Sequence, residues 1–272
     1  MIHAILRRTL PTSVYTRLGL VREAVDRARF APYVATHRYG RRRLSVHIVD
    51  MMGRSWYDHD WAVPAEIREL ADRGRLREGA RVFDVGAHQG VVAMMLADLV
   101  GAAGQVVAVE ATPHNAETAA RNARMNGLAQ LHIVHAAGAE TPGTLHFSPR
   151  MNGHVATRDE ASLEVRAVTI DELTAEHGGP DVLFIDVEGY ELHVLRGARE
   201  TLEAHRPDLF VEVHSAAGLE RFGDADDLLA LIPPGYEILV SRTEEGPYRP
   251  LAEARGVLDH HSRIVAFAPR RA

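Results

Sequence analysis

The chain has 272 residues, 46% of them hydrophobic and 25% charged, which suits one α/β domain with additions. It contains no cysteine, which excludes disulfides and thiolate metal sites, and all 31 basic residues are arginine, which excludes Schiff-base lysine chemistry. The net charge is −6, but residues 1–50 carry +7, which leaves −13 on residues 51–272 and argues against nucleic acid as a partner.

Residues 1–75 are predicted to form a helical cap ahead of the main domain. The 13–30 segment places its apolar side chains on one helical face, and a short strand is predicted over Leu44–Val49. A second helix is predicted over Pro64–Arg73, because a proline in the first turn and a glycine after the last are typical helix boundaries.

The first residues lack the order of a secretory signal, and no apolar run reaches the about 18 residues that a membrane span needs. We therefore expect a cytoplasmic protein without stable membrane insertion. The basic arm that contains Arg41, Arg42 and Arg43 could contact an anionic substrate or a membrane surface, but a solvated extension paired with the acidic body is favoured. A homo-oligomer is left open.

Residues 51–63 are rich in aromatic side chains and hold both tryptophans. Such clusters often line pockets, because aromatic faces offer area and their polar tips give orientation. Trp56, Tyr57 and Trp61 are therefore candidate substrate-binding residues. Packing of the same aromatics onto the core as a structural cap is an equally good interpretation.

Residues 81–90 run from a short apolar strand into a glycine turn, and a buried helix follows up to residue 100. Strand, glycine turn and helix are the opening unit of a nucleotide-binding α/β sheet, which binds its ligand at the carboxyl end of the strand. The candidate cofactor-binding residues of this unit are Asp84, Gly86, His88 and Gly90.

A second strand is predicted over 105–109 and ends at Glu110, whose carboxylate can accept two hydrogen bonds from a ribose diol. Asp84 and Glu110 are 26 residues apart, close to the about 20 expected between a glycine turn and a ribose-binding acid. The Gly-x-Gly-x-x-Gly fingerprint of dinucleotide sites is absent, which disfavours NAD. The pattern favours a nucleoside without phosphates, such as S-adenosylmethionine (SAM), over a turn that merely closes a sheet.

Five further apolar runs complete a predicted seven-stranded sheet, mostly parallel with an antiparallel edge strand, in a domain over residues 76–272. The runs are 131–135, 182–185, 209–214, 236–240 and 263–268, and a single helix is predicted over about 190–204. Small residues after the third strand, among them Ala137, can form the floor of an adenine pocket. Residues 141–168 are predicted to insert a β-ribbon, and its His154 is a candidate substrate contact, although a solvated histidine is favoured.

Acidic residues and a histidine follow the fourth and fifth strands: Asp186, Glu188, Glu212 and His214 are the candidate catalytic residues. In one interpretation His214 or Asp186 is a general base. In another, Asp186, Glu188 and His214 bind Mg²⁺ or Mn²⁺, which lowers the pKa of a hydroxyl group. The sequence favours the metal-free base. In the structural alternative, Glu188 caps the next helix and the other side chains satisfy buried backbone groups.

Six motifs, in order and correctly spaced over about residues 80–215, resemble the FkbM family of SAM-dependent methyltransferases. They lie at 82–90, 109–115, 122–127, 169–173, 185–198 and 212–214, and Ile-Asp-Val-Glu-Gly-Tyr-Glu at 185–191 is the most specific. The chain departs from the family at position 88, where a histidine replaces the usual asparagine.

The resemblance implies a class I, Rossmann-like methyltransferase fold and methyl transfer from SAM, most often to a hydroxyl oxygen of a natural product, sugar or lipid in secondary metabolism. It implies that Asp84, Gly86 and Gly90 surround the methionine end of SAM and that Glu110 holds the ribose. The expected partner is thus a small-molecule hydroxyl acceptor. The alternatives are an N-methyltransferase, a nicotinamide-dependent oxidoreductase and a non-enzymatic binding protein.

Overall fold

A computed structural model describes residues 12–148, 153–156, 162–215 and 218–269. Its centre is an eight-stranded sheet in the order β13-β12-β14-β11-β10-β3-β4-β5. These strands are β3 (Arg81–Val85), β4 (Gln105–Glu110), β5 (Leu131–His135), β10 (Val182–Ile185), β11 (Asp208–Val213), β12 (Glu237–Ser241), β13 (Arg249–Pro250) and β14 (Ser262–Phe267). The expected α/β class and all seven predicted strands are confirmed, and only the two-residue β13, too short for any periodicity, was not predicted.

Alternate residues of the central strands enter two different apolar clusters. Val82, Val106 and Val182 belong to one, and their neighbours Phe83 and Val107 belong to the other. Because successive side chains of a strand point to opposite faces, each cluster packs one face of the sheet. A parallel sheet covered on both faces explains why these strands are continuous apolar runs.

The helices that follow the strands are α4 (Val91–Val100), α5 (Pro113–Met125), α6 (Ile170–His177), α7 (Glu191–Arg196), α8 (Arg199–Ala204), α9 (Ala225–Leu231) and α10 (Leu251–Ala254). A single helix was predicted over 190–204, and that prediction is wrong. The chain breaks at Gly197, where a side chain would overlap the carbonyl oxygen of Ala139. The unpredicted α6 begins with a capping box formed by Thr169 and Glu172.

The strand β14 runs antiparallel to both of its neighbours, β11 and β12. The main antiparallel strand therefore lies inside the sheet, and only the short β13 is an antiparallel edge strand. This position brings the start of β14 beside the carboxyl end of β11, as Ser262 pairs with Val213.

The N-terminal region contains strands as well as helices. It consists of α1 (Thr12–Arg29), a hairpin of β1 (Tyr33–Tyr39) and β2 (Arg42–Ile48), α2 (Met51–Tyr57) and α3 (Ala65–Asp72). The strand predicted over Leu44–Val49 corresponds to β2, whereas its partner β1 was not predicted, because few of its residues are buried. Leu44, Val46 and Ile48 pack in the same cluster as Val82 of the main sheet, so the hairpin extends the main core.

Asparagine side chains of α5 dock this hairpin. The Oδ1 of Asn126 accepts a hydrogen bond of 2.8 Å from the Ser45 amide, and its Nδ2 donates one of 2.7 Å to the Ser45 carbonyl. Asn122 accepts from the His47 amide and donates to the Gln89 carbonyl. Asn126 therefore fixes the hairpin to the end of α5, and Asn122 connects the hairpin to the glycine turn.

The predicted insertion joins β6 (Ala137–Gly138), which precedes it, in a second, four-stranded sheet. Its own strands are β7 (Gly143–Ser148), β8 (His154–Val155) and β9 (Leu163–Val168). The predicted ribbon is its antiparallel β7–β9 pair. In the described part of the chain, no helix combines the length and apolar character needed to cross a membrane.

Candidate active site

A cavity of about 890 Å³ lies at the carboxyl ends of β3, β4, β10 and β11. The aromatic segment of residues 56–61, the turn after β3 and the loop after β10 all contribute to its wall, as does the start of β14. The predicted site residues among its lining are Trp56, Tyr57, Trp61, Asp84, Gly86, His88, Glu110, Ala137, Asp186, Glu188, Glu212 and His214. Distant segments of the chain thus meet at the edge where an open α/β sheet binds its ligand.

The turn after β3 needs glycine for a steric reason. Gly86 has a φ of 98°, and a side chain there would overlap the carbonyl oxygen of Asp186. The preceding Asp84 is only 4% exposed, and its Oδ2 has no hydrogen-bond partner in the described structure. Burial, helped by the negative charge of Glu110, raises the pKa of Asp84 to about 7.

Backbone amides hold the carboxylate of Glu110. Its Oε2 accepts a hydrogen bond of 2.9 Å from the His88 amide, and its Oε1 accepts one of 2.7 Å from the Thr112 amide. Each carboxylate oxygen can accept a second bond, so a diol can still bind the same group. Burial raises the pKa of Glu110, and these hydrogen bonds oppose the rise.

Gly90 and His154, which were predicted to contact the cofactor and the substrate, do not line the cavity. Gly90 precedes α4 with a φ of 82°, and a side chain there would lie 2.9 Å from the Ala119 methyl group. It is not among the described residues that line the cavity, and neither is His154, although its neighbours Gly153 and Val155 are.

The aromatic segment lies over the glycine turn. The Tyr57 hydroxyl is 2.7 Å from the Nδ1 of His88, and the Trp56 ring centroid is 5.1 Å from the His88 ring. Tyr57 is buried, whereas Trp56 is 37% exposed at the cavity. The histidine at position 88 therefore connects the turn to the aromatic wall.

Asp50, which sequence reasoning did not identify, anchors the aromatic segment. Its Oδ1 caps α2 by accepting from the Gly53 amide at 2.7 Å. Its Oδ2 lies 3.0 Å from both the Gln89 Nε2 and the His114 Nε2. An aspartate directly before a helix was the available sequence signal, but its partners come from distant segments.

His214 stands among three carboxylates at the ends of β10 and β11. Its Nε2 is 3.7 Å from the Asp186 Oδ1 and 3.6 Å from the Glu188 Oε2. Its Nδ1 is 2.7 Å from the Oε1 of Glu191, which is fully buried and also accepts from the Gly189 amide. Glu188 has a φ of 54°, a conformation rare outside glycine. Sequence reasoning quoted Glu191 within a motif but assigned it no role.

These charges set the protonation of the group. Burial alone would lower the pKa of His214, but the hydrogen bond that it donates to Glu191 and the three negative charges raise the pKa to about 9. Desolvation inside the cavity and the charge of Glu212 raise the pKa of Asp186, although its side chain is 45% exposed to the cavity. The protonated form of His214 is thus the positive charge that offsets the surrounding carboxylates.

Glu212 belongs to a separate charge network. Its Oε1 is 2.7 Å from the His261 Nε2, and its Oε2 accepts a hydrogen bond of 2.8 Å from Arg263. Arg263 also reaches Glu66 of α3 at 3.3 Å. Burial would raise the pKa of Glu212, but His261 and Arg263 lower it below its usual value. Sequence reasoning missed these partners because they come from α3 and from β14, the strand inserted beside β11.

A family model described as the methyltransferase FkbM domain matches residues 84–240, more than half of the chain. No curated protein matches the chain. Similar solved structures include the methyltransferase FkbM from Methylobacillus flagellatus KT, with 17% identity and a TM-score of 0.47 over 68% of this chain and 43% of that one. The chain therefore spans less than half the length of that protein.

Two O-methyltransferase structures show a similar degree of likeness. A SAM-dependent O-methyltransferase from Thermotoga maritima has 19% identity and a TM-score of 0.44, over 78% of this chain and 68% of that one. An O-methyltransferase from Bacillus cereus, in complex with SAH, has 15% identity and a TM-score of 0.44, over 75% of this chain and 80% of that one.

Proposed function

This chain belongs to the FkbM methyltransferase family, and from that premise we propose that it transfers the methyl group of SAM to a hydroxyl oxygen of a small natural product, sugar or lipid. One observation carries the proposal: the glycine turn, the fixed carboxylate of Glu110 and the group around His214 all line one cavity. A site for a nucleoside and a site for proton removal thus adjoin each other.

The residues at the β3–β4 end of the cavity fit SAM. The unpartnered, buried Oδ2 of Asp84 suits the cationic methionine end, and Gly86 leaves space that any side chain would fill. Glu110 would accept from the ribose hydroxyls, and Ala137 would lie beside the base. Bound SAM supplies a methyl group on a positively charged sulfur, a leaving group that needs no acid.

The residues at the β10–β11 end would serve the acceptor. The side chains of Trp56, Tyr57 and Trp61 form a wall that can orient an apolar or sugar-like molecule. The protein must align the hydroxyl oxygen with the methyl group and take up the hydroxyl proton. Asp186 is one candidate to accept that proton, and His214 is the other once it has given up its own, with Glu188 and Glu212 beside them.

An amine acceptor is the second candidate. The cavity lining is rich in carboxylates, including Glu66, Glu188 and Glu212, with additional Glu244 and Glu245 at the rim, whereas Arg68 and Arg263 are its arginines. A negative lining attracts a protonated amine, which could lose its proton to the same group and become methylated on nitrogen.

The test is a screen of hydroxyl- and amine-bearing metabolites with methyl-labelled SAM, read by mass spectrometry. We expect the wild-type protein to form a labelled O-methyl product and Glu110→Ala to form about 10–100-fold less at limiting SAM, because hydrogen bonds to a charged group contribute about 1.5–3 kcal/mol. A labelled N-methyl product would show that the acceptor is an amine and not a hydroxyl compound. Labelled SAM consumed at the same rate by both proteins would contradict the assignment of the site.

A further inference from the structure

The ligand atoms of Asp186, Glu188 and His214 lie close enough together to bind one metal ion. All three atoms lie within 4.8 Å of one another. The distances of 3.6 and 3.7 Å from the His214 Nε2 to the two carboxylates are too long for hydrogen bonds. Two ligand atoms that each lie about 2.1 Å from one cation are roughly 3.0–3.4 Å from each other. A small inward movement of the side chains would therefore bring the His214 nitrogen and the carboxylate oxygens to coordinating distance.

The orientation of His214 is the second observation. Glu191 is fully buried and does not itself line the cavity, and it accepts from the Nδ1 of the lining residue His214 at 2.7 Å. A histidine whose Nδ1–H is held by a carboxylate directs the lone pair of Nε2 at the opposite side, which is the usual arrangement behind metal-binding histidines. Here Nε2 faces the two cavity carboxylates.

A neighbouring group of Glu212, His214 and His261 is also compact enough for an ion. Both carboxylate oxygens of Glu212 are already engaged, one by His261 and one by Arg263. The guanidinium supplies a positive charge within hydrogen-bond distance, so a second cation there would meet repulsion. The Asp186, Glu188 and His214 group is therefore the better site.

We propose that Asp186, Glu188 and His214 bind one divalent cation, and that Mn²⁺ fits the donors best. Two carboxylate oxygens and one imidazole nitrogen suit a first-row transition ion better than Mg²⁺, which prefers an all-oxygen shell. Three protein ligands leave positions open for a hydroxyl oxygen of the acceptor, and a cation lowers the pKa of a hydroxyl that it binds. That last role rests on the proposed function, whereas binding of the cation does not.

The experiment is a titration of the full chain with Mn²⁺ alone, without SAM or acceptor, followed by the electron paramagnetic resonance signal of free Mn²⁺. We expect one saturable ion per chain. Asp186→Asn removes a ligand charge, and Glu191→Gln loosens the histidine without touching the ion, so each should weaken Mn²⁺ binding by about 10–100-fold. Glu253→Gln, an exposed position on α10, is the matched control and should bind as the wild type does. Circular dichroism checks that each variant is folded.

Absence of saturable Mn²⁺ binding would overturn the proposal, and so would unchanged binding by both folded site variants. Mg²⁺ that displaces Mn²⁺ at equal concentration would overturn the choice of ion. Saturable Mn²⁺ binding by the wild type that is lost in both variants supports the site, whether or not an acceptor is methylated. A failure to methylate any acceptor would contradict only the proposed function. Methyl transfer that continues in EDTA, in a chain that binds no Mn²⁺, would defeat only the cation.

Discussion

At the scale of single residues, Asp84 links the charge of the ligand to pH. Burial and then the charge of Glu110 raise its pKa to about 7, and a cationic ligand beside it favours the ionised form. At pH 6 only about a tenth of Asp84 is ionised in the free protein, so SAM must displace the proton. We predict that SAM affinity at pH 6 is about 10-fold below its plateau above pH 8.

Calorimetric titrations with SAM from pH 5.5 to 8.5 measure this dependence. The isosteric Asp84→Asn is the control, because it cannot ionise and should bind SAM weakly at every pH. A wild-type affinity that is flat across the same range would show that Asp84 does not contact the cationic end of the ligand.

Asp186 is the residue on which catalysis should depend most. Asp186→Asn keeps the shape of the side chain and removes its charge, so it impairs both a general base and a cation ligand. We predict a loss in kcat of at least about 100-fold with SAM affinity retained. Under the cation model EDTA abolishes wild-type activity and Mn²⁺ restores it, whereas under the base model EDTA has no effect. Near-normal turnover of the variant would return Asp186 to a structural role.

The sequence predicted the lining residues better than their partners. Aspartate and glutamate at strand ends were recognisable because they interrupt apolar runs, and twelve of the predicted site residues line the cavity. Glu191, Asp50 and His261 were not predicted, because each acts through a side chain far away in the sequence. Such contacts depend on how helices and strands pack, which local pattern does not encode.

At the scale of elements, α2 and the residues after it are expected to hold the acceptor. Trp56 is 37% exposed at the cavity, whereas its neighbour Tyr57 is buried against His88. We predict that Trp56→Ala raises the acceptor KM several-fold and leaves SAM affinity and unfolding free energy nearly unchanged. Steady-state kinetics and urea unfolding measure both. A joint fall in stability and SAM affinity would mean that the segment is core packing.

The docking of the β1–β2 hairpin on α5 should depend on Asn122. This fully buried side chain joins the His47 amide to the Gln89 carbonyl. Asn122→Ala leaves both backbone groups buried without a partner, so we predict a loss of about 2–4 kcal/mol in the free energy of unfolding. Glu117→Ala, at an exposed position of the same helix, is the control and should leave stability unchanged. An unaltered urea midpoint for Asn122→Ala would contradict the docking role.

Elements with strong periodicity were predictable, and weakly patterned ones were not. The apolar runs of β3, β10 and β11 identified the buried parallel strands directly. The hairpin strand β1 was missed because most of its residues are exposed. The break between α7 and α8 was missed because its cause is the close approach of Gly197 to Ala139, which no local sequence pattern indicates.

At the scale of the whole molecule, the cavity joins three regions that are far apart in the sequence: the N-terminal aromatic segment, the sheet edge and the start of β14. All three regions lie in the acidic part of the chain, because residues 1–50 carry +7 and the remainder −13. The acidic remainder supplies the carboxylates of the cavity, so the field there favours cationic SAM and a neutral or cationic acceptor over an anionic one.

The central claim is that SAM binds in this cavity through Glu110, and calorimetry with SAM tests it most directly. The account predicts one SAM per wild-type chain and an affinity lower by about 1.5–3 kcal/mol for Glu110→Ala, because a fixed carboxylate loses its hydrogen bonds to the ribose. The same titration with NAD should give no binding. Failure of the wild-type chain to bind SAM, or equal affinity in the variant, would contradict the account.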